Sequence, residues 1–459
     1  MQKLLMAVGF ALLLCVNGCS TAPKTAQAPV QNTLKVFNMA DMHSGYDAYP
    51  LLLSGIDHEL SNAPQQPVVF VINGDFFEAG SVVAKKSEGK LDLAFLAELK
   101  KRGDVVFNVG NHDFDILPVN DFIREARALG VNVIGTFAST QLNTPLSPYT
   151  DISVGDKRIR FIGVDTDHGK TFPLYLRTSL NIPAPLAWMQ LNYAPLSGTA
   201  DYTVLLSHAG LQADKEILAF LSQQTFKPIY MTGAHDHLTL QQRVDGIPYL
   251  HTGFKGQRLV VADIQLNTAP DVQVHTLLTE DIKDKNQAFA SLLEQTRKDT
   301  LTPQDLAIVG TVPEALNLSE AVDWTLQVMR EKTGADVALF NHSSFGSGLP
   351  KGPLPLYRFN QFMRFENKLM MTTVDGKTLR AILANANQHL KNDIAQLSGD
   401  FVYANNIEPQ DDKYYNVVCP DWVSMRDNQQ AYLGMNLPFH VVQGLTIKGI
   451  LKDALRQTN

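Results

Sequence analysis

The chain has 459 residues, more than one hydrophobic core ordinarily serves, because cores stop growing near roughly 250–300 residues and longer chains divide into domains. Hydrophobic residues make up 45% and charged residues 19%, with a formal net charge of -7. That balance suits soluble globular domains and argues against a nucleic-acid polymer as partner. In chain order, residues 1–19 come first: Lys3 supplies a positive start, residues 4–16 an apolar run too short to span a membrane, and Val16-Asn17-Gly18-Cys19 a small-residue cleavage segment. This is the pattern of an export signal.

Because that segment ends in a cysteine, it resembles the lipobox of bacterial lipoproteins, which implies that Cys19 becomes the lipidated first residue of the mature chain. Ser20 beside it resembles the outer-membrane sorting signal. Residues 20–33 are rich in Ala, Pro, Thr and Gln, a composition that buries no core and suits a tether. Cleavage removes Cys15 and lipid occupies Cys19, so Cys419 is the remaining thiol and no intramolecular disulfide is expected. The expected membrane contact is through the lipid anchor alone, from the periplasm or the cell surface.

From 34 to about 265, short apolar runs alternate with amphipathic stretches, the pattern of an α/β domain. The runs are 34–40, 67–73, 104–109, 131–135, 158–164, 203–207, 228–231, 249–251 and 258–264. Most are nearly continuous in apolar residues, as strands buried on both faces require. A connecting helix is expected within 276–304, with Phe289, Leu292 and Leu293 at helical spacing. The first domain is thus 34–275, and a second α/β domain covers 305–459. There we expect a helix over 319–333 with Ser319 as N-cap, strands over 336–340 and 368–374, and a helix over 377–386.

The residues that follow the strands carry the chemistry. They are Asp41-Met42-His43, Gly74-Asp75, Gly110-Asn111-His112-Asp113, Ser207-His208 and Gly233-Ala234-His235-Asp236-His237. Polar groups at the ends of buried strands converge on one sheet edge, where open α/β folds place their sites. Imidazoles and carboxylates together suit Mn, Zn, Co or Fe better than Ca. Two adjacent cations can lower the pKa of a bridging water, making a hydroxide nucleophile, and can stabilise an in-line displacement at phosphorus. His112 is then left to act on the phosphoryl or leaving oxygen, with Asp115 near enough in sequence to orient it. His58, His168, His251, His342 and His440 lack this context and read as structural or surface residues; a supporting place beside the ligand strands stays open for His251.

These blocks, in this order, resemble the calcineurin-like metallophosphoesterases and, with the C-terminal segment, the bacterial 5′-nucleotidase family. The resemblance implies one metal on Asp41, His43, Asp75 and His237, another on Asp75, Asn111, His208 and His235, and a catalytic dyad of His112 and Asp115. It further implies a four-layer αββα sandwich with a C-terminal α/β domain that caps it and rotates to open the cleft.

Substrate recognition in that family lies largely in the C-terminal domain, and here the sequence departs from the pattern. The Asn-Gly-Gly-Gly-x-Arg block aligns with Asn341-His342-Ser343-Ser344-Phe345-Gly346, so Gly346 stands in place of an arginine. A second arginine is missing from 312–318, Ile394 stands where a base-stacking phenylalanine is usual, and the last block is faintly echoed around Trp422. Candidate substrate contacts are Asn341, Arg364, Phe365 and Trp422, with Arg358 and Lys351 as alternative cations. The expected function is hydrolysis of a small phosphate monoester, nucleotides by default. Two other classes stay open: a binding lipoprotein that keeps its metals for structure, and another hydrolase on the same scaffold, such as a thiosulfohydrolase.

Overall fold

A computed structural model describes residues 32–457 apart from 63–65, 79, 268 and 392. Cys19, the expected signal segment and nearly all of the tether lie outside the described residues. Among the described residues no helix is long and apolar enough to cross a membrane.

Twelve strands build the first domain: β1 (Thr33–Met39), β2 (Val68–Asn73), β3 (Asp104–Asn108), β4 (Asn132–Ile134), β5 (Tyr149–Val154), β6 (Lys157–Asp165), β7 (Tyr202–His208), β8 (Tyr230–Gly233), β9 (Thr239–Val244), β10 (Ile247–Thr252), β11 (Arg258–Gln265) and β12 (Asp271–Leu278). They form two mixed six-stranded sheets, ordered β12-β11-β1-β2-β3-β4 and β5-β6-β7-β8-β10-β9. In the first, β1 to β4 run parallel; in the second, β6, β7, β8 and β10 do. Antiparallel strands close one edge of the first sheet and both edges of the second.

Alternate side chains of the central strands meet between the sheets, where Val36, Val69, Val71, Val106, Phe161, Val204 and Leu206 share one core. The opposite faces pack on helices. Phe37, Phe70 and Phe107 of the first sheet join Leu52, Phe95 and Phe122 from helices Tyr49–Ser61, Lys90–Lys100 and Val119–Ala128. On the second sheet, Ile162, Leu205 and Met231 pack with Met189 and Leu218 from helices Pro185–Ser197 and Leu211–Ser222. Helix, sheet, sheet, helix is the layering that buries both faces of two largely parallel sheets. The helix Gln287–Thr300 lays Phe289 and Leu293 on the first helical layer, so the segment expected as a connector extends that core.

The smaller C-terminal α/β domain has a five-stranded sheet of Val402–Ala404, Val337–Asn341, Tyr414–Pro420, Lys368–Asp375 and His440–Thr446, in that spatial order. Its helix Leu318–Thr333 begins one residue earlier than expected. Asn317, not Ser319, is the N-cap: its side chain accepts from Glu320 N at 3.0 Å while the Glu320 carboxylate accepts from Asn317 N at 2.8 Å. This reciprocal capping box satisfies two end donors, which Ser319 inside the first turn could not do.

Two seams join the domains. On the second-sheet side, Gln212 and Lys215 donate to the carbonyls of Ser398 and Leu397 at 2.8 and 2.6 Å, and Phe401 enters the core beside Leu211. On the other side, Arg358 pairs with Asp47 and Arg364 with Glu78.

Candidate active site

The carboxyl ends of β1, β2 and β3 in one sheet and of β7 and β8 in the other meet at one rim. Asp41 and His43 follow β1, Asp75 follows β2, Asn111 and His112 follow β3, His208 ends β7, and His235 and His237 follow β8. The loops continue the strand pairing beyond the sheet: Asp41 N donates to Gly74 O at 3.0 Å, His43 N to Asp75 O at 2.9 Å, and Ser44 N to Phe76 O at 2.9 Å. Asp41, His43, Asp75, His235 and His237 hold φ between 42° and 80°, the left-handed region that costs a non-glycine residue about 1–3 kcal/mol. Strain of this kind persists only where surrounding contacts over-determine the backbone. Gly110 shows how close the approach is, since a Cβ there would collide with the backbone nitrogen of Asp75. Asp113 braces the same loops, accepting from Gly110 N at 2.6 Å, Phe76 N at 2.7 Å and Asp75 N at 3.1 Å. Below the rim, Asn73 and Asn108 tie the sheets together: Asn73 donates to the carbonyls of Ser207 and Thr232 and accepts from Asn108.

Two side-chain groups result, Asp41 with His43 and His237, and Asp75 with His208 and His235; in each, the ligand-type atoms lie within 4.8 Å of one another. Each group could hold a metal ion. The Nε2 atoms of His43 and His237 approach to 2.9 Å, as two lone pairs directed at one cation do. Asp75 Oδ2 lies 3.3 Å from His208 Nε2 and 3.9 Å from His43 Nε2, within reach of both groups. His208 donates its other nitrogen to Asn73 O at 2.9 Å, which turns Nε2 toward Asp75. Asn111 donates to Thr171 O, while its buried Oδ1 has no hydrogen-bond partner among the described residues.

Charge in the rim is divided. Burial pushes His43, His235 and His237 down, His235 to about 3, so these imidazoles are neutral, as metal ligation requires. Burial raises the Asp75 carboxyl, but His208 and His112 outweigh it and hold the group well below the carboxylate range. Burial lowers His208 and His112, yet the Asp75 charge raises them to about 10 and about 9. A proton and a cation therefore compete for the space between His208 and Asp75. The donor set fits two cations of intermediate hardness.

His112 Nδ1 lies 2.8 Å from Asp115 Oδ2, and its backbone N–H donates to Asp75 Oδ1 at 2.7 Å. The dyad residues are thus brought together and tied to the rim. His251 is buried against Gly233 at the end of β8, with Nε2 2.5 Å from the Tyr249 hydroxyl, which donates to Asp214. His342 is buried at the seam, its two nitrogens 3.1 Å from Phe401 O and 2.9 Å from Asp236 O.

The substrate candidates separate sharply. Asn341 spends its amide inside its own turn, donating to Ser343 Oγ and accepting from Ser344 Oγ. Lys351 pairs with Glu314 at the surface, and Phe365 and Trp422 are 44% and 40% exposed. The Trp422 indole donates weakly to the Tyr432 hydroxyl at 3.4 Å. Arg364 alone of the six reaches the rim: its buried Nε lies 2.8 Å from Glu78 Oε2, and that oxygen is 3.8 Å from His43 Nδ1 and 3.8 Å from Lys255 Nζ. Gly346 has no room for a side chain, because a Cβ there would collide with Gln361 O and sit 3.2 Å from Lys255 Cε. Lys255 fills the place and supplies a cation instead. Glu78 and Lys255 belong to no motif legible in the sequence, although Glu78 follows the Gly-Asp pair by only three residues.

Two histidine and aspartate groups at the strand ends of a four-layer α/β sandwich define a metallophosphoesterase of the calcineurin-like class. Residues 34–238 match the calcineurin-like phosphoesterase family, and residues 314–430 match the 5′-nucleotidase C-terminal domain. Together the two matches make up the domain pair of the 5′-nucleotidase family. The fold is similar to that of a 5′-nucleotidase precursor from Thermus thermophilus (TM-score 0.62, 17% identity, covering 93% of this chain and 96% of that one). A sulfate thiohydrolase, SoxB, from the same organism is similar too (TM-score 0.64, 12% identity, 94% and 95% covered), as is a 5′-nucleotidase from Candida albicans (TM-score 0.59, 14% identity, 92% and 98% covered). No curated protein sequence matches the chain.

Proposed function

We propose that the protein is a metal-dependent phosphohydrolase that acts on a small phosphate monoester, with nucleotides the first substrates to test. The observation that carries this reading is the 2.8 Å His112–Asp115 pair set beside two convergent metal-type groups. A rim kept only for structural metal would not need it. Asp41, His43, Asp75 and His237 would hold one cation, and Asp75, Asn111, His208 and His235 the other. Bound there, the pair supplies an acidified water and neutralises charge on the phosphoryl oxygens.

The chain's own groups do the rest. With Nδ1 committed to Asp115, His112 has Nε2 left to hold a proton toward the phosphoryl or leaving oxygen. Glu78 between Arg364 and Lys255 leaves one net positive charge beside His43, a field that favours an anion. A cavity of about 470 Å³ runs along the seam beside this charge, lined by Ser44, Lys255, Gly346, Arg358 and Gln361 but by none of the candidate metal ligands.

The purified full-length chain, supplied with Mn, Zn or Co, is expected to turn over a generic aryl phosphate, and Asp75→Ala or His112→Ala to abolish that turnover. No activity with any metal although two ions bind would overturn the proposal. A panel of nucleoside monophosphates, sugar phosphates and phospholipid head groups then ranks the substrates. Likeness to the sulfate thiohydrolase supports a second reading, so a thiosulfonate joins the panel, and turnover of it alone would replace the phosphate assignment.

Export and a lipid anchor on Cys19 belong to the same proposal, supported by the lipobox-like segment. A fatty-acid label should enter the full chain and fail to enter Cys19→Ser.

A further inference from the structure

Glu78 is a buried carboxylate that the proposed reaction does not use. It is enclosed by groups from three parts of the chain: His43 on the loop after β1, Lys255 on the loop before β11, and Arg364 from the C-terminal domain. Its Oε1 accepts from Gly80 N at 3.3 Å, which anchors the side chain from its own loop. Arg364 is anchored as well, donating from Nη1 to Ser343 O at 2.9 Å.

His43 directs Nε2 at His237 and so toward the first metal group, which leaves Nδ1 as the nitrogen that carries hydrogen in the neutral ring. That buried Nδ1 has no hydrogen-bond partner among the described residues, and Glu78 Oε2 is the acceptor facing it, at 3.8 Å. Ligating imidazoles ordinarily pass their second N–H to a carboxylate or carbonyl, as His208 does to Asn73 O at 2.9 Å. The 3.8 Å gap at His43 closes with a small side-chain shift, and Arg364 prevents Glu78 from turning away.

We infer that Glu78 is the positioning residue for His43, and that Arg364 holds Glu78 in place, so the metal affinity of the Asp41–His43–His237 group depends on this one contact from the C-terminal domain. The inference rests on the two-cation reading of the rim. Coupling of this kind is reciprocal: a cation in the first group tightens the Arg364 seam as much as the seam tightens the cation. Lys255 lies farther from the same carboxylate oxygen, 3.8 Å against 2.8 Å for Arg364, so it has the lesser part in holding Glu78.

Calorimetric titration of the metal-stripped full-length chain with Mn²⁺ tests this without measuring catalysis. Wild type is expected to show two binding events; their absence would defeat the two-cation reading itself. Glu78→Ala should weaken one event by roughly 10–100-fold and leave the other within about twofold, the usual size of a lost supporting contact. Glu78→Gln, which keeps an oxygen acceptor, should recover part of the loss, and Arg364→Gln should weaken the same event. Arg358→Gln cuts the neighbouring Arg358–Asp47 contact between the domains without touching Glu78, and should leave both events unchanged. Circular dichroism melts establish that each variant is folded; if Glu78→Ala is not, the contrast of Arg364→Gln with Arg358→Gln decides. Two unchanged events in Glu78→Ala, equal weakening of both, or an Arg358→Gln loss as large as that of Arg364→Gln would overturn the inference.

Discussion

The rim of the first domain and the C-terminal surface that faces it are built on opposite terms. At the rim, side chains collected from five strand ends must surround two points at once, so the loops after β1 and β2 are locked together by backbone hydrogen bonds, Asp113 and Asp41 tie in the loops after β3 and β8, and five of the seven candidate ligands keep a left-handed backbone. Across from it, Asn341 spends its side chain inside its own turn, and the cations near the centre, Arg364 from the C-terminal domain and Lys255 from the first, come from positions that no spacing rule connects. A coordination shell fixes residue type, direction and distance together. A favourable field asks only that charge arrive in the neighbourhood, and many positions can deliver it. This is why one half of the cleft reads as a family motif and the other does not.

The comparison is broken most directly at Gly110. Gly110→Ala forces a methyl group into the Asp75 backbone, and we expect aryl phosphatase kcat/KM to fall at least roughly a hundredfold, because displacement of a reacting group by about 1 Å carries that penalty. Metal content measured by atomic emission should fall with it. A fully active variant would mean that the rim is softer than its geometry.

Gly346→Arg asks the converse question, whether the family arginine can simply be put back. The side chain would collide with Gln361 O and displace Lys255, so we expect a loss of about 1–3 kcal/mol in denaturant unfolding and no gain with nucleotides. A stable variant with improved nucleotide turnover would show that the C-terminal surface lacks only one charge.

Asp92 tests the base beneath the first metal group. It receives the hydroxyls of Tyr46 at 2.5 Å, Tyr49 at 3.0 Å and Ser44 at 3.4 Å, and burial raises its carboxyl to about 7. A carboxyl raised on folding binds its proton more tightly in the native state, so its contribution to stability is full below about pH 4 and is lost as pH rises toward about 7. Asp92→Asn has no such proton. Its melting temperature relative to wild type should therefore climb between about pH 4 and pH 7, by the equivalent of about 4 kcal/mol over those roughly three pH units, since each is worth ~1.36 kcal/mol. A difference that stays flat across this range would show that Asp92 is ionised in the fold.

The smallest effect is expected at Trp422. Its ring is 40% exposed and weakly bonded, so Trp422→Ala should change stability by less than about 1 kcal/mol and leave the ratio of nucleotide to aryl phosphate turnover unaltered. Selective loss with nucleotides would restore this surface to base recognition.

Much of the architecture was legible because buried parallel strands are written as apolar runs. β1, β2, β3, β6, β7 and β11 lie within two residues of the expected positions at either end, and the ligand-type residues follow most of them directly. β5, β9 and β12 were not legible, since these edge strands mix polar with apolar residues and are only partly buried, so they form no continuous apolar run. The N-cap at Asn317 was missed because Asn317 and Ser319 are both capping residue types, and only the observed partner, Glu320, decides between them. Glu78 and Lys255 carry no motif; they meet because a long stretch of intervening chain folds back, which local pattern does not encode.

The seam on the second-sheet side has a property of its own. Gln212 and Lys215 bond to the carbonyl oxygens of Ser398 and Leu397, atoms that every amino acid possesses. Part of the seat of the 394–400 loop is therefore independent of side-chain identity; the exceptions are Leu397, which is buried in the core, and Gly399, where a Cβ would collide with Asp236 Oδ2. The Ile394 side chain makes neither of the two carbonyl contacts, so a change there leaves both of those hydrogen bonds between the domains in place.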